Sequence, residues 1–381
     1  MRVLQLTGSS AGGVARHVRE VSVLLAAGDR RLGTLPAPGQ RADRVVLAGP
    51  ADVLAPLAEE SGPGTHQVRT AVVDLADRPR PADARALART RSLARRADVV
   101  HAHGLRAGAL AAAALATLPR RPRLVVTLHN LPVGGPRVRA VAAVLERVVA
   151  RRADAVLAVS GDIADRLRRL GARRVERALV PAPRRPATTD PAAARRGLGA
   201  QDGERLVLTV ARLAPQKGLD LLAATARLLA DGPAPGRHAA AAPPWRWVVV
   251  GDGPLRDRTA AAVAGLPVHL AGRREDVPDL LAAADVVVST AAWEGQPLWL
   301  QEALALGAPV VATDVGGTRE VTGDAAVLVP GGEPAALAEA VRTVLADGAR
   351  RAALAAAARA RAAELPTGAD VLAQLRRVYA A

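Results

Sequence analysis

Short apolar runs alternate with helix-like stretches along the whole chain, and this alternation restricts the fold more than any other feature of the sequence. Residues 3–7 form the first such run, a glycine-rich turn occupies 8–13, and from Val14 apolar residues recur at helical spacing. Repeated strand, turn and helix units predict parallel α/β domains. The other predicted strands cover 45–47, 99–100, 124–128, 155–159, 206–210, 247–250, 268–270, 285–288 and 309–312.

One segment interrupts this alternation near the middle of the chain. Over 181–204 the periodicity vanishes, and proline, arginine, threonine and glycine accumulate, which is typical of an interdomain linker. We therefore predict a Rossmann-like domain over 1–180, a linker over 181–204, and a second Rossmann-like domain over 205–360. The remaining residues, 361–381, are predicted to form a C-terminal helix that packs back on the first domain. Two parallel-sheet domains of this kind are expected to face each other across a ligand cleft.

The composition excludes several classes of protein. The chain has no cysteine, so disulfides and thiolate metal sites are absent. Its first residues are too few and too polar for a secretory signal, and its longest apolar stretch, 109–118, falls short of the about 18 residues that a membrane span needs. We expect a cytoplasmic protein.

The positive charge is concentrated in the first half of the chain. Residues 1–180 carry 30 arginines against 15 acidic residues, a net of +15, whereas residues 181–381 carry 22 basic and 21 acidic residues, a net of +1. A basic half attracts phosphates or anionic lipid headgroups, although solvated helix faces are an equally good explanation. Residues 1–180 contain no Phe, Tyr or Trp on which bases could stack, so we expect no nucleic-acid partner.

Two glutamates stand eight positions apart after a predicted strand of the second domain. Glu294 falls on a loop, and Glu302 falls one or two turns into the following helix, with a Gly-Gln-Pro turn between them. The start of such a helix also presents free backbone N–H groups to an anion. Surface glutamates on an ordinary helix are the alternative, and the glycines and prolines around this pair argue against it.

Two cations follow the first strand of the second domain. Arg212 and Lys217 flank a proline-containing loop, and this pair suits a diphosphate, with arginine as a fork and lysine as a point charge. Lys217 is the only lysine of the chain. Because arginine has replaced lysine everywhere else, the surviving lysine indicates that a compact ammonium is needed there.

His129 follows a strand of the first domain and precedes Asn130, the only asparagine of the chain. A histidine at the carboxyl end of a strand points towards the expected cleft, but His101 and His103 end an earlier strand in the same way. The position alone therefore leaves the choice among the three histidines open. No Asp-x-Asp, spaced-histidine or P-loop motif is present, so a metal cofactor is not expected.

These motifs together resemble those of a known family. The run 294–320 is similar to the E-x7-E signature of the family 4 retaining glycosyltransferases, with its trailing G-x-P-V-V-A and G-G-x-x-E. The R-L-x-x-x-K-G of 212–218, the Gly-Gly of 12–13, the Thr-x-His of 127–129 and the Gly-x-Gly of 251–253 occur in the family's order. The resemblance implies the GT-B fold, in which two Rossmann-like domains enclose the active site.

The resemblance also implies roles for individual residues. Arg212 and Lys217 would bind the donor's diphosphate and offset the charge on the departing nucleotide, so that no metal is needed. Glu302 would hold the ribose hydroxyls, Glu294 would contact the donor sugar, and His129 would contact the sugar near the reacting carbon. The loops expected to surround the sugar and phosphates comprise Gly12, Gly13, Gly295, Gln296, Pro297 and Leu298.

The implied activity is that of a metal-independent, retaining hexosyltransferase that uses a UDP- or GDP-sugar. A basic first domain favours an acceptor that is anionic or lipid-linked, in cell-surface glycan, glycolipid or small-molecule glycoside synthesis, with peripheral contact to the anionic inner face of a membrane. Three departures from the family, Thr290-Ala291, Pro181-Ala182-Pro183 and Trp299, leave the donor sugar open. The alternatives are a nucleotide-sugar epimerase of the same fold and a non-enzymatic, basic surface-binding protein.

Overall fold

The computed structural model describes residues 1–9, 13–28, 43–59, 67–76, 80–132, 135–181, 184–232 and 244–381. The chain forms two units. The first unit comprises Met1–Pro181 and Pro366–Ala381, and the second comprises Ala182–Leu365.

The first unit is built on a seven-stranded parallel sheet with the order β3-β2-β1-β4-β5-β6-β7. Its strands are β1 (Arg2–Thr7), β2 (Arg44–Gly49), β3 (Val68–Val72), β4 (Val99–His103), β5 (Arg123–Leu128), β6 (Ala155–Ala158) and β7 (Val175–Arg177). Its helices are α1 (Gly13–Ala27), α2 (Ala51–Glu59), α3 (Asp83–Ala94), α4 (Leu105–Ala116), α5 (Pro136–Arg152) and α6 (Gly161–Arg169). The last helix of the chain also belongs to this unit. In the register, Thr7 lies opposite His103 and His103 lies opposite Thr127, so the carboxyl ends of β1, β4 and β5 are level.

The second unit contains a six-stranded parallel sheet with the order β10-β9-β8-β11-β12-β13. Its strands are β8 (Arg205–Val210), β9 (Trp245–Val250), β10 (Val268–Gly272), β11 (Val286–Ser289), β12 (Val310–Thr313) and β13 (Val327–Val329). Its helices are α7 (Pro191–Gly197), α8 (Leu219–Ala230), α9 (Arg256–Ala262), α10 (Val277–Ala283), α11 (Leu298–Ala305), α12 (Thr318–Thr322), α13 (Pro334–Ala346) and α14 (Gly348–Glu364). The last helix of the chain, α15 (Gly368–Ala380), belongs to the first unit.

The inner strands of the second unit are mainly apolar because both faces of their sheet are covered. Leu206 and Leu208 of β8 pack in one buried cluster with α11 and α14 residues, whereas Val207 packs in another with α8 and α13 residues. Trp247 of β9 is fully buried in the second cluster. Continuous apolar strands of this kind are characteristic of parallel sheets between two helical layers.

The prediction of two Rossmann-like parallel-sheet domains is confirmed. In each sheet the strand order reverses once, between β1 and β4 in the first unit and between β8 and β11 in the second. Ligands of open α/β sheets bind at the carboxyl ends of the strands beside such a reversal. Within the described ranges, no helix combines the length and the apolar character that crossing a membrane requires.

Two predicted segments differ from the structure in their secondary structure. The segment 181–204, predicted as a linker, contains α7, because Asp190 caps that helix by accepting a hydrogen bond from the Ala193 N–H, and Asp279 accepts the Thr188 and Thr189 N–H groups. The single C-terminal helix predicted over 361–381 is two elements. The first of them, α14, ends at Glu364, Pro366 follows, and a capping box between Thr367 and Asp370 starts α15.

Candidate functional site

In the second unit, two of the predicted site residues form an ion pair beside the strand-order reversal. Lys217 ends a 3-10 turn (Pro215–Lys217) after β8, and Glu294 lies on the loop after β11. The Lys217 Nζ is 2.6 Å from the Glu294 Oε1, and the two side chains are only 15% and 7% exposed. The pair joins the loops that leave the two strands at the reversal. The structure therefore brings together two motifs that are 77 residues apart in the sequence.

Glycine at position 218 permits this approach of the two loops. Gly218 adopts a φ of +62°, and a Cβ there would lie 1.8 Å from the Thr290 carbonyl oxygen. The Thr290 hydroxyl donates to the Lys217 carbonyl at 2.8 Å, and the Ala292 N–H donates to the Gln216 carbonyl at 2.9 Å. A side chain at 218 would separate the loops, so the glycine of the R-L-x-x-x-K-G motif has a steric role.

A second glycine, in the loop after β12, lies against the backbone of Glu294. Gly316 adopts a φ of +52°, and a Cβ there would lie 1.9 Å from the Glu294 carbonyl oxygen. The Gly317 N–H donates to the same carbonyl at 2.9 Å. The G-G-x-x-E motif thus fixes the backbone of the residue whose carboxylate binds Lys217.

The Gly-x-Gly turn of 251–253 supports the loop that carries Arg212. A Cβ at Gly251 would lie 1.9 Å from the Ala211 carbonyl oxygen, and a Cβ at Gly253 would lie 2.5 Å from that of Leu213. The Leu213 N–H donates to the Asp252 carbonyl at 3.0 Å. Arg212 itself is exposed, and its guanidinium has no hydrogen-bond or ion-pair partner in the part of the chain that the structure describes.

The remaining predicted donor-binding residues of this unit lie at the start of α11. Gly295, Gln296 and Pro297 precede the helix, Pro297 is its N-cap, and Leu298 is its first residue. The Gln296 Oε1 is buried, and none of the described residues gives it a hydrogen bond. An unpaired buried acceptor is unusual in a folded protein and calls for a partner.

Glu302 lies in the second turn of α11 and is 6% exposed. Arg185, from the segment before α7, places its Nη2 3.9 Å from the Glu302 Oε1. The sequence gives no signal for Arg185, because this residue falls in the segment predicted as a linker. The structure thus places Arg185, Lys217 and the unpaired Arg212 in the second unit, together with two buried carboxylates.

In the first unit, His129 belongs to a chain of buried hydrogen-bonded side chains. Its Nε2 is 3.2 Å from the His103 Nδ1, and the His103 Nε2 is 2.7 Å from the Gln5 Oε1. The Gln5 Nε2 donates to the Tyr379 hydroxyl at 3.1 Å, and that hydroxyl is 2.7 Å from the His101 Nδ1. Among these hydrogen-bonded side chains, only the histidines are candidates from the sequence. Gln5 and Tyr379 are 374 residues apart, so no local sequence pattern indicates that they are hydrogen-bonded to each other.

The orientation of the Gln5 amide fixes the proton positions along this chain. Because the Gln5 Oε1 can only accept, the His103 Nε2 carries a proton. A neutral His103 then accepts at Nδ1, so the His129 Nε2 is the donor in the contact between the two imidazoles. The Nδ1 of His129 is left as a hydrogen-bond acceptor.

All the histidines of this cluster are neutral at pH 7. Burial lowers the pKa of His17, in α1, to about 4 and is also the main cause that lowers the pKa of His101 to about 3. Burial, with the neighbouring imidazoles, holds the pKa values of His103 and His129 well below the usual range. The ring centroids of His17 and His129 are 5.5 Å apart. Across the described ranges, no group of three or more His, Asp or Glu side chains is arranged to hold a metal ion.

A pocket of about 240 Å³ opens beside this cluster in the first unit, at the carboxyl ends of β1, β4 and β5. Gly8, Ser9, Gly104, His129 and Asn130 are among the residues that line it. The sequence predicts two donor-binding residues between β1 and the start of α1. Gly13 is the exposed first residue of α1, and Gly12 lies outside the described residues.

Both units resemble domains of known proteins. Residues 204–347 match the family model for glycosyl transferases group 1, and residues 12–183 match the model for the glycosyl transferase 4-like domain. A D-inositol 3-phosphate glycosyltransferase of Geodermatophilus obscurus is 39% identical over 185 residues, which cover 45% of this chain and 39% of the relative. A 2-deoxystreptamine N-acetyl-D-glucosaminyltransferase of Streptomyces fradiae is 35% identical over 164 residues, which cover 41% and 37%. The matched segments therefore span about two fifths of each relative's length.

Solved structures show the same fold over the whole chain. Anabaena Alr3699/HepE in complex with UDP-glucose superimposes with a TM-score of 0.76 at 22% identity, covering 100% of this chain and 99% of that one. A sucrose-phosphate synthase from Thermosynechococcus elongatus gives a TM-score of 0.77 at 19% identity, covering 100% and 98%.

Proposed function

We propose that this chain, which belongs to the glycosyltransferases of GT-B fold, transfers a sugar from a UDP- or GDP-sugar to an acceptor, with retention of anomeric configuration and without a metal ion. The observation that carries the proposal is the Lys217–Glu294 pair of 2.6 Å, with the unpaired Arg212 guanidinium on the same loop as Lys217. The matches to glycosyltransferase domain models support it.

In the proposed reaction, the bond between the anomeric carbon and the diphosphate oxygen breaks, and the acceptor oxygen bonds to that carbon. The leaving diphosphate gains negative charge, and its oxygen takes the acceptor's proton. Arg212 and Lys217 offset this negative charge, a role that a divalent cation has in other transferases. An ammonium has three donors, so Lys217 can hold Glu294 and a phosphate oxygen together.

The sugar and the ribose have their own partners in this proposal. Glu294, held by Lys217, accepts hydrogen bonds from sugar hydroxyls, and the unpaired Gln296 Oε1 accepts another. Glu302 holds the ribose hydroxyls. From the first unit, the neutral His129 offers its Nδ1 as an acceptor for a sugar hydroxyl near the anomeric carbon, and the basic character of that unit favours an anionic acceptor.

Donor hydrolysis tests the proposal. The purified chain is incubated with UDP-, GDP- and ADP-sugars in EDTA, and the release of nucleoside diphosphate is measured. We expect release from one of these donors, and we expect Lys217→Ala to lower the rate by about a hundredfold or more. Arg258→Ala is the matched control, because Arg258 is an exposed cation of the same unit that pairs with Asp220. If no donor is consumed, or if Lys217→Ala behaves like the control, the proposal is wrong.

Two further measurements separate the parts of the proposal. A strict requirement for added metal would contradict metal independence, and an inverted anomeric centre in the NMR spectrum of the product would contradict retention. The alternatives have their own signatures. An epimerase converts the donor sugar without net transfer to an acceptor, and a non-enzymatic binding protein leaves every donor intact.

A further inference from the structure

Helix α5 exposes an apolar stripe. Val138, Val141 and Val144 follow one another at three-residue spacing and are 51%, 48% and 58% exposed. Within the described ranges, six large apolar side chains are more than a third exposed, and three of them are on this one helix. Single exposed apolar residues are ordinary on a protein surface, whereas a cluster of them indicates a contact surface.

The same helix is strongly basic on its exposed surface. Its five arginines are all exposed; they are Arg137, Arg139, Arg147, Arg151 and Arg152. Its only carboxylate, Glu146, is 3% exposed and pairs with Arg166 of α6 at 2.7 Å. The outward side of α5 therefore combines valines with positive charge and carries no exposed acidic residue of its own.

The opposite side of α5 is anchored to the unit. Ala142, Val149 and Ala150 are buried against it. The exposed stripe is therefore part of a ridge about 25 Å long, given the rise of about 1.5 Å per residue. The ridge is presented in the folded state without any rearrangement.

We propose that the outward face of α5 binds an anionic lipid surface, with the three valines at the boundary between headgroups and acyl chains and the arginines on the lipid phosphates. Helices with an apolar stripe flanked by arginine lie at membrane interfaces in this way. Nucleic acid fits the face less well, because a polyanion would engage the arginines and leave the valines in water. This surface does not depend on the proposed transfer reaction.

Cosedimentation of the full chain with vesicles tests the proposal. The vesicles contain phosphatidylcholine alone or with about 30% phosphatidylglycerol, a content that gives the anionic surface potential that attracts basic segments. We expect binding to the anionic vesicles only, with an affinity that falls as salt rises. The double variant Val141→Asp, Val144→Asp should bind at least about tenfold more weakly. Val72→Asp is the matched control, since Val72 is a 60% exposed valine of the same unit.

A second pair of variants isolates the charge. Replacing Arg137, Arg147 and Arg151 by Gln should weaken binding by about a hundredfold at low salt. The control removes the same charge from α3 and the loop after it, by replacing the exposed Arg85, Arg89 and Arg96. Circular dichroism melting verifies that each variant folds, and Val141→Ser, Val144→Ser replaces the aspartate variant if that one does not.

Three results would overturn the proposal: no binding to anionic vesicles, equal effects of the two arginine triples, or wild-type binding by both valine variants. The second result would mean that diffuse charge attracts the chain, and the third would mean a purely electrostatic contact. Donor hydrolysis by the α5 variants is expected to equal that of the unmodified chain, so the two proposals can fail separately.

Discussion

Lowering the pH from 7.5 to 4 is expected to unfold the first unit before the second. The cause is the cluster of His17, His101, His103 and His129, whose pKa values burial lowers in the folded state. Below about pH 6.5 the unfolded chain binds protons at these residues that the folded chain does not bind. The stability present at pH 7.5 is therefore lost as the pH falls from about 6.5 towards the folded pKa values.

The size of the effect follows from the lowered pKa values. For His17, whose pKa falls from 6.5 to about 4, the loss reaches roughly 3 kcal/mol at pH 4. His101, with a pKa of about 3, contributes a similar loss over the same interval, and the other two histidines act in the same direction. A total above roughly 6 kcal/mol is comparable to the whole stability of a typical domain. The only histidine described in the second unit, His269, is exposed.

The distribution of the aromatic residues makes the assay selective. All four tryptophans lie in the second unit, so their fluorescence reports on that unit, whereas far-ultraviolet circular dichroism reports on both. During an acid titration, the helical signal should fall first, while the tryptophan emission stays unchanged. Hydrogen exchange measured by mass spectrometry should place this first loss in peptides of β4 and β5.

A single substitution tests the assignment to the histidines. The Nδ1 of His17 is buried and has no hydrogen-bond partner among the described residues, so His17→Leu should cost little at pH 7.5 and should move the first acid transition to lower pH. His269→Gln, at an exposed position of the second unit, should leave that transition in place. The reasoning is refuted if His17→Leu leaves the acid midpoint unchanged, or if both units unfold together in the wild-type chain.

Two pairs of substitutions, one pair in each unit, test the packing. Gly218→Ala should lower the free energy of unfolding of the second unit by more than about 2 kcal/mol, because its Cβ would lie 1.8 Å from the Thr290 carbonyl oxygen. Gly203→Ala, at a φ of +83° with nothing within 4 Å of the added Cβ, should cost only about 1 kcal/mol in the same urea titration, and equal losses would contradict the steric argument. In the first unit, Arg166→Ala should lower the free energy of unfolding more than Glu146→Gln does. Arg166→Ala leaves the Glu146 carboxylate, which is 3% exposed, without its partner, whereas in Glu146→Gln the remaining Arg166 is 43% exposed and stays hydrated. The reverse order of stability in thermal melts would contradict this explanation.

The sequence predicts most of the fold because the inner strands are buried on both faces and are therefore continuous apolar runs. The three strands that it does not predict, β3, β7 and β13, all lie at sheet edges. There the burial is partial: β7 has no buried residue, and three of the five residues of β3 are exposed. An edge strand has less apolar surface to bury, so its sequence carries a weaker signal.

In the candidate site, too, some residues could be predicted from the sequence and others could not. The sequence predicts Lys217 and Glu294, and the structure places them 2.6 Å apart, because each motif is local to one loop and the strand order brings the loops together. It does not predict Gln5 or Tyr379 as partners of the histidines. Neither belongs to a recognisable motif, and the hydrogen bond between them depends on the return of α15 to the first unit.

The structure also gives a physical reason for the single lysine in a chain that otherwise uses arginine. Lys217 precedes Gly218, whose backbone touches the next loop so closely that a Cβ has no room, and its own side chain is 15% exposed. A planar guanidinium there would bind the Glu294 carboxylate through two parallel N–H groups, and its fixed fork would set the direction of the remaining donors. An ammonium engages the carboxylate with one donor and can turn the other two towards a second anion. A residue that must bind a carboxylate and a phosphate oxygen at once is better served by lysine, so this exception to the arginine bias follows from the proposed chemistry.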